Sequence, residues 1–221
     1  MSFTTPTPAP HSSRRKLIGL CQLTSHADPE ENYAKVAAMV RRAHAEHPHC
    51  RMVFLPEYFD YVAPPGAPAP TFDPDGEYIG KYRALARETG MWLSLGGFHE
   101  CRGPGLLPFN THLVINEHGE SVACYRKLHL FDLVIPSRGM RVMESERNHP
   151  GECLVPPCST PIGSLGLATC HDVRFAELAL WNRSLGAEVL AYGSCFSVPT
   201  GIAHWETLLK ARAIEVGLPP Y

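Results

Sequence analysis

Three reactive side chains each stand directly after an apolar, strand-like run: Glu57 behind MVFLP, Lys127 behind SVACYR and Cys170 behind SLGLAT. Together they make a complete set for acyl transfer from an amide. Glu57 would take the thiol proton of Cys170, and the thiolate would attack the carbonyl. Lys127 and the backbone N–H of His171 would hold the oxyanion. Protonated Glu57 would then release its proton to the departing amine, and water activated by the same carboxylate would hydrolyse the thioester. Taken singly, each residue has an ordinary explanation, since an acid or a lysine after a strand is usually solvated and a free cysteine usually packs as a small hydrophobe. The chemistry therefore requires that all three reach one rim of a sheet, the place where layered α/β folds bind ligands.

The elements that must bring them there follow from periodicity. Lys16–Leu23 reads as a first strand. Asp28 caps a helix with Pro29 at its first position and Glu31 closing a capping box, and Tyr33, Val36, Ala37, Val40 and Ala43 form its apolar stripe. Arg51–Leu55 is a buried strand, and residues 62–76 are an irregular loop rich in Pro, Gly and Ala. A helix built on Tyr78, Ile79, Tyr82, Leu85 and Ala86 stops at Gly90, and Met91–Phe98 is a third strand. Thr111–Ile115 and Ser121–Tyr125 flank a polar turn and read as a hairpin. Residues 129–157 read as a long loop containing Glu144. At Cys170 a strand turns into a helix that ends at Gly186, an elbow whose backbone N–H groups can lower a thiol pKa or hold an anion. Val189–Tyr192 is a strand and Ala203–Glu215 a helix. The order argues an α/β layered fold with a partly antiparallel sheet.

Composition bounds the function. With 221 residues, 44% of them hydrophobic, the chain can bury one sizeable core. A formal charge of -2 and the lack of a long basic run exclude a nucleic-acid footprint. No apolar stretch is long enough to span a bilayer. Residues 1–15 read as a disordered tail rich in Ser, Thr and Pro, which favours a cytoplasmic location with a mitochondrial address as the alternative. The eight cysteines form no C-x-x-C pair and read as reduced thiols, and the twelve histidines form no helical metal-binding pair.

LPE at Leu55–Glu57, YRKLHLFD at Tyr125–Asp132 and CHDVRFAEL at Cys170–Leu178 resemble the glutamate, lysine and cysteine motifs of the nitrilase, or carbon-nitrogen hydrolase, superfamily. The resemblance covers about Lys16 to Glu215. It implies an α-β-β-α sandwich, hydrolysis of non-peptide carbon-nitrogen bonds, no metal or organic cofactor, and a homodimer where the fold is complete. It also implies a second glutamate supporting the lysine, a role that falls on Glu144. FLPEYFDYVA, WLSLGGFHE and TGIAHWETLLKARAIE look most like the branch containing deaminated-glutathione amidase and omega-amidase, so the implied substrate is a small carboxylate-bearing amide of the 2-oxoglutaramate kind. Four residues are candidates for the substrate side. His171 shapes the pocket, Arg174 steadies the loop or meets a carboxylate, and Phe196 and Thr200 border the cavity.

Two departures from the superfamily pattern stand out. His171 occupies a position where tyrosine is usual, and Ala176 one where proline is common. Past the ARAIE helix, VGLPPY replaces the further strands of the superfamily, so the domain, 16–221, is expected to be incomplete at its end. That expectation keeps a non-catalytic remnant or binding subunit as the competing reading. A cysteine peptidase with a histidine base is the weaker third, because no histidine has the context that Glu57 has.

Overall fold

The computed structural model describes residues 16–217 apart from 63, 65 and 66. The expected tail at 1–15 and the chain end at 218–221 lie outside the described residues. Two sheets pack face to face between helices. The first has the order β1 (Leu17–Leu20), β2 (Cys50–Phe54), β3 (Trp92–Glu100), β4 (Phe109–Ile115), β5 (Ser121–Arg126). β1, β2 and β3 run parallel, and β4 is antiparallel to both β3 and β5. Two reversals restore direction, so β2, β3 and β5 all end at the same rim. β6 (Asp132–Ile135) and β7 (Met140–Met143) form a small separate hairpin. The second large sheet is β8 (Cys158–Thr160), β9 (Gly163–Thr169) and β10 (Val189–Gly193), with β9 in the middle and parallel to β10.

Helices α1 (Pro29–Glu46) and α2 (Glu77–Thr89) cover the outer face of the first sheet. The Asp28 carboxylate accepts from the N–H groups of Glu30 and Glu31 at 2.9 and 3.1 Å, capping α1 as its sequence dictates. The capping box does not form: Glu31 pairs instead with Lys35, one turn on, at 2.7 Å. Val36, Ala37 and Val40 of α1 and Ile79, Tyr82 and Leu85 of α2 pack against Val53, Leu93, Leu95, Leu113 and Ile115. Residues of opposite parity, Met52, Val114 and Tyr125, face inward onto Leu165, Leu167 and Ala191 of the second sheet. Helix α3 (Ala176–Ser184) and the chain from Val198 through a π-helical stretch (Gly201–Trp205) into α4 (Glu206–Glu215) complete the α-β-β-α sandwich. The stretch expected as one loop at 129–157 therefore holds the β6–β7 hairpin, whose four-residue strands are too short for the periodicity to show.

At one point the sheets touch backbone to backbone. A Cβ on Gly193 would lie 2.5 Å from the Gly96 Cα, so only glycine lets β10 approach β3 this closely and carry residues 194–196 over the rim. Deeper in the interface, fully buried His112 spans the two sheets. Its Nδ1 donates to the Ala168 carbonyl at 3.1 Å and its Nε2 accepts from Ser94 Oγ at 2.6 Å. Burial lowers its pKa from 6.5 to about 4. Unfolding then takes up a proton, so this contribution to stability is complete above about pH 6.5 and is lost as pH falls toward 4. The expected loss from this group between pH 7 and pH 5 is about 2 kcal/mol. Urea unfolding at the two pH values should show it, and His112→Gln should show a correspondingly smaller difference; an equal difference in both proteins would refute the assignment.

Candidate active site

Lys127 follows the last residue of β5, and its N–H donates to the Asn110 carbonyl at 2.9 Å, continuing the ladder. It shares the parity of Tyr125, so its side chain points between the sheets. Glu57 lies three residues beyond β2, where Tyr58 N–H bonds the Gly97 carbonyl at 2.7 Å. Cys170 directly follows β9 and opens a short 3-10 turn, Cys170–Arg174, ahead of α3. Cys170 has φ 47° and Tyr58 φ 57°, both left-handed, which costs about 1–3 kcal/mol per residue and persists only where surrounding structure enforces it.

The surroundings of the elbow are correspondingly firm. The Asp172 carboxylate, wholly buried, accepts from Tyr125 Oη at 2.8 Å, Thr169 N at 2.9 Å and His129 Nδ1 at 2.7 Å. From the other side Arg212 of α4 donates to the Val173 carbonyl at 2.8 Å and pairs with Glu215.

The structure brings Glu57, Lys127, Cys170 and Glu144 into one cluster, with exposures of 3, 1, 7 and 5%. Lys127 Nζ donates to Glu57 Oε1 at 2.9 Å and to Glu144 Oε2 at 2.8 Å. Glu57 also accepts from Asn110 Nδ2 at 2.8 Å and, through Oε2, from Cys195 N at 3.0 Å. Every nitrogen partner of that carboxylate is a donor. Burial alone would lower the Lys127 pKa, but the charges of Glu57 and Glu144 and the hydrogen bond to Glu144 outweigh it and hold the ammonium above the ordinary lysine value. Glu144 is also pushed upward by burial, yet Lys127, Phe131 N and Asn110 bring it below the usual carboxylate range.

Cys170 corrects one expectation. Burial first, then the charge of Glu57, raise its thiol well above the ordinary value, although the Lys127 charge pulls the other way. The elbow does not make a resting thiolate. Its sulfur is held protonated beside the Glu57 carboxylate.

The four substrate-side candidates sit further out. His171 is half-buried, edge-on to Phe131 at 5.2 Å and Phe175 at 5.6 Å, and its pKa is lowered by burial and by Lys127 and Arg174. Arg174 bonds His204 Nδ1 at 3.0 Å on the π-helical stretch, which is a link between elements. Phe196 packs edge-on against Trp205 at 5.0 Å, and Thr200 Oγ1 accepts from Ser197 at 2.9 Å. None of these four joins the Glu57–Lys127–Glu144 hydrogen-bond network.

Several members of the cluster had not been singled out from the sequence: Asn110, Tyr58, Asn148 and the N–H groups of Phe131 and Cys195. One of them carried a usable signal. Asn110, His112 and Val114 alternate along β4 and share the inward face, which places Asn110 beside Lys127. Among the described residues no three His, Cys, Asp or Glu side chains are grouped as a metal ion would need.

Residues 17–220 match the family model for carbon-nitrogen hydrolase. The chain is 49% identical over 204 residues to the nitrilase and fragile histidine triad fusion protein NitFhit of Caenorhabditis elegans, covering 91% of this chain and 46% of that protein. It is 47% identical over 207 residues to deaminated glutathione amidase of Rattus norvegicus, covering 90% of this chain and 62% of the relative. The chain thus spans 46 to 62% of the length of these curated relatives. The crystal structure of C. elegans NitFhit superposes with a TM-score of 0.80 at 47% identity, over 91% of this chain and 49% of that one. An amidase variant from Nesterenkonia sp. AN1, in which acrylamide has added to the active site cysteine, superposes with a TM-score of 0.74 at 25% identity, over 91% of this chain and 75% of that one. A match that runs along nearly the whole sequence settles ancestry: this chain belongs to the carbon-nitrogen hydrolase family.

Proposed function

We propose that this chain is an amidase that cleaves a small carboxylate-bearing amide, of the deaminated-glutathione or 2-oxoglutaramate kind, through a thioester on Cys170. The observation that carries this reading is the single buried cluster in which Cys170 stands beside Glu57 while Lys127 bridges Glu57 and Glu144. Because the thiol rests protonated, its activation must be coupled to attack. Glu57 accepts the S–H proton as sulfur bonds to the amide carbon, and the carbonyl electron pair moves onto oxygen. Lys127 Nζ and the N–H of His171 hold that oxyanion. Collapse breaks the carbon-nitrogen bond, and the leaving nitrogen takes the proton from Glu57. A water then gives its proton to Glu57 while its oxygen attacks the thioester, and the proton returns to sulfur as the acid departs. The class of substrate rests on likeness to relatives named deaminated glutathione amidase.

The test is an acid quench during turnover on a panel of small amides, with ammonia measured in parallel and the peptides analysed by mass spectrometry. The expected result is an acyl adduct on the peptide carrying Cys170, labile to hydroxylamine, and none on the exposed thiols Cys101, Cys124, Cys153 and Cys195. Ammonia release without any adduct on Cys170, or no release from any amide, would reject the proposal.

A further inference from the structure

The phenol of Tyr58 lies in the cluster and has no part in the steps above. Among the described residues only Tyr58 and Cys170 are non-glycine residues at positive φ, at 57° and 47°. Glycine would take that backbone conformation without strain. A tyrosine held there is held for its side chain, which is hydrogen-bonded as both donor and acceptor. Tyr58 Oη donates to Glu144 Oε1 at 3.2 Å and accepts from Asn148 Nδ2 at 3.2 Å and Asn110 Nδ2 at 3.4 Å. The direction is fixed by chemistry, because two amide groups can only donate to the oxygen and an ionised carboxylate can only accept. The ring stacks on His99 with centroids 5.0 Å apart and planes 22° from parallel, and Asp60 grips His99 Nδ1 at 2.8 Å.

This arrangement divides the two oxygens of Glu144. Oε1 takes the Tyr58 hydroxyl together with Asn110 at 3.2 Å and Asn148 at 3.3 Å. Oε2 is left for Lys127 at 2.8 Å and Phe131 N at 2.7 Å. We propose that Tyr58 is a positioning residue, whose hydroxyl fixes Oε1 of Glu144 so that Oε2 stays aimed at the Lys127 ammonium. The inference rests on the catalytic reading of Lys127 given above. Burial raises the phenol well above its ordinary pKa, so it remains a donor throughout the pH range in which the site would work.

Deleting the hydroxyl removes a donor from a carboxylate, and so raises the pH at which Glu144 takes up a proton. In the full chain, Tyr58→Phe is expected to lower kcat about tenfold with KM within about threefold, the size and pattern of losing one charge-assisted hydrogen bond that acts in the transition state. The acidic limb of the kcat/KM profile should move up by about half to one pH unit. Tyr58→Gly, which also relieves the backbone, should shift the limb the same way. A wild-type limb in both variants, with only the unfolding midpoint changed, would show a merely structural role and overturn the inference. Carboxyl-labelled glutamate NMR, assigned with Glu144→Gln, reads the same titration without any substrate; an unmoved Glu144 midpoint in Tyr58→Phe would also overturn it. Failure of the catalytic reading shows itself elsewhere, as amide hydrolysis that survives Cys170→Ala.

Discussion

Cys170→Ala is expected to lower ammonia release from a responsive amide by about 10⁵-fold, while Cys101→Ala stays within about twofold of wild type. Losses of this order accompany removal of a nucleophile whose base and oxyanion donors act with it as a unit. Alanine keeps the Cβ, so the left-handed backbone at φ 47° is neither better nor worse accommodated, and the four bonds that pin the adjoining Asp172 do not involve the sulfur. The unfolding midpoint should therefore move little. Cys101 is exposed and lies outside the cluster, which makes it the control for nonspecific thiol effects. Comparable activity in the two variants would remove the thioester from the mechanism altogether.

Lys127→Ala is expected to cost both activity and stability. Lys127 is 1% exposed and has one carboxylate at 2.9 Å and another at 2.8 Å. Without the ammonium, Glu57 and Glu144 share a buried site with only Asn110 donating to both. Removing one member of a buried ionic set costs about 3–5 kcal/mol, mostly the penalty of the charge left behind. The deficit should depend on pH in a definite sense. In the variant one carboxyl binds a proton more tightly in the folded protein than in the unfolded chain, so its burden is relieved at low pH and grows as pH rises through the raised value. The gap between variant and wild type should be widest near pH 7 and shrink toward pH 5. Lys127→Met combined with Glu144→Gln should recover stability but not ammonia release, since the oxyanion still lacks its cation. Denaturant unfolding of the three proteins across that range measures this, and a gap that is flat with pH would contradict the arrangement.

Much of this site was open to reading along the chain. Glu57, Lys127 and Cys170 each follow a strand that alternation or apolarity announces, and the Asp28–Pro29 start of α1, the Gly90 stop of α2 and the β4–β5 hairpin are written in local turn and cap chemistry. These are short-range signals, set by neighbours within a few residues. Glu144 was different. Its place in a long proline- and arginine-containing stretch gave no periodic cue, and only resemblance pointed to it. The short β6–β7 hairpin that holds the segment was likewise invisible to a pattern that needs more than four residues per strand.

What could not be read was convergence. The Cys195 N–H that bonds Glu57 comes from 138 residues away. Tyr58 meets Glu144 across 86 residues and Asn148 across 90. The sense of the Cys170 shift also reversed: an elbow seen locally offers N–H groups that favour a thiolate, whereas the folded site adds burial and a neighbouring carboxylate that favour the thiol. By itself the sequence determined which chemical groups exist, the parity that turns Asn110 and Lys127 inward, and the strand ends from which the reactive residues project. Tertiary structure alone decided which groups share a hydrogen bond and how they titrate. Both depend on distance and solvent exclusion, and here the packing of two sheets against a Gly96–Gly193 contact sets them.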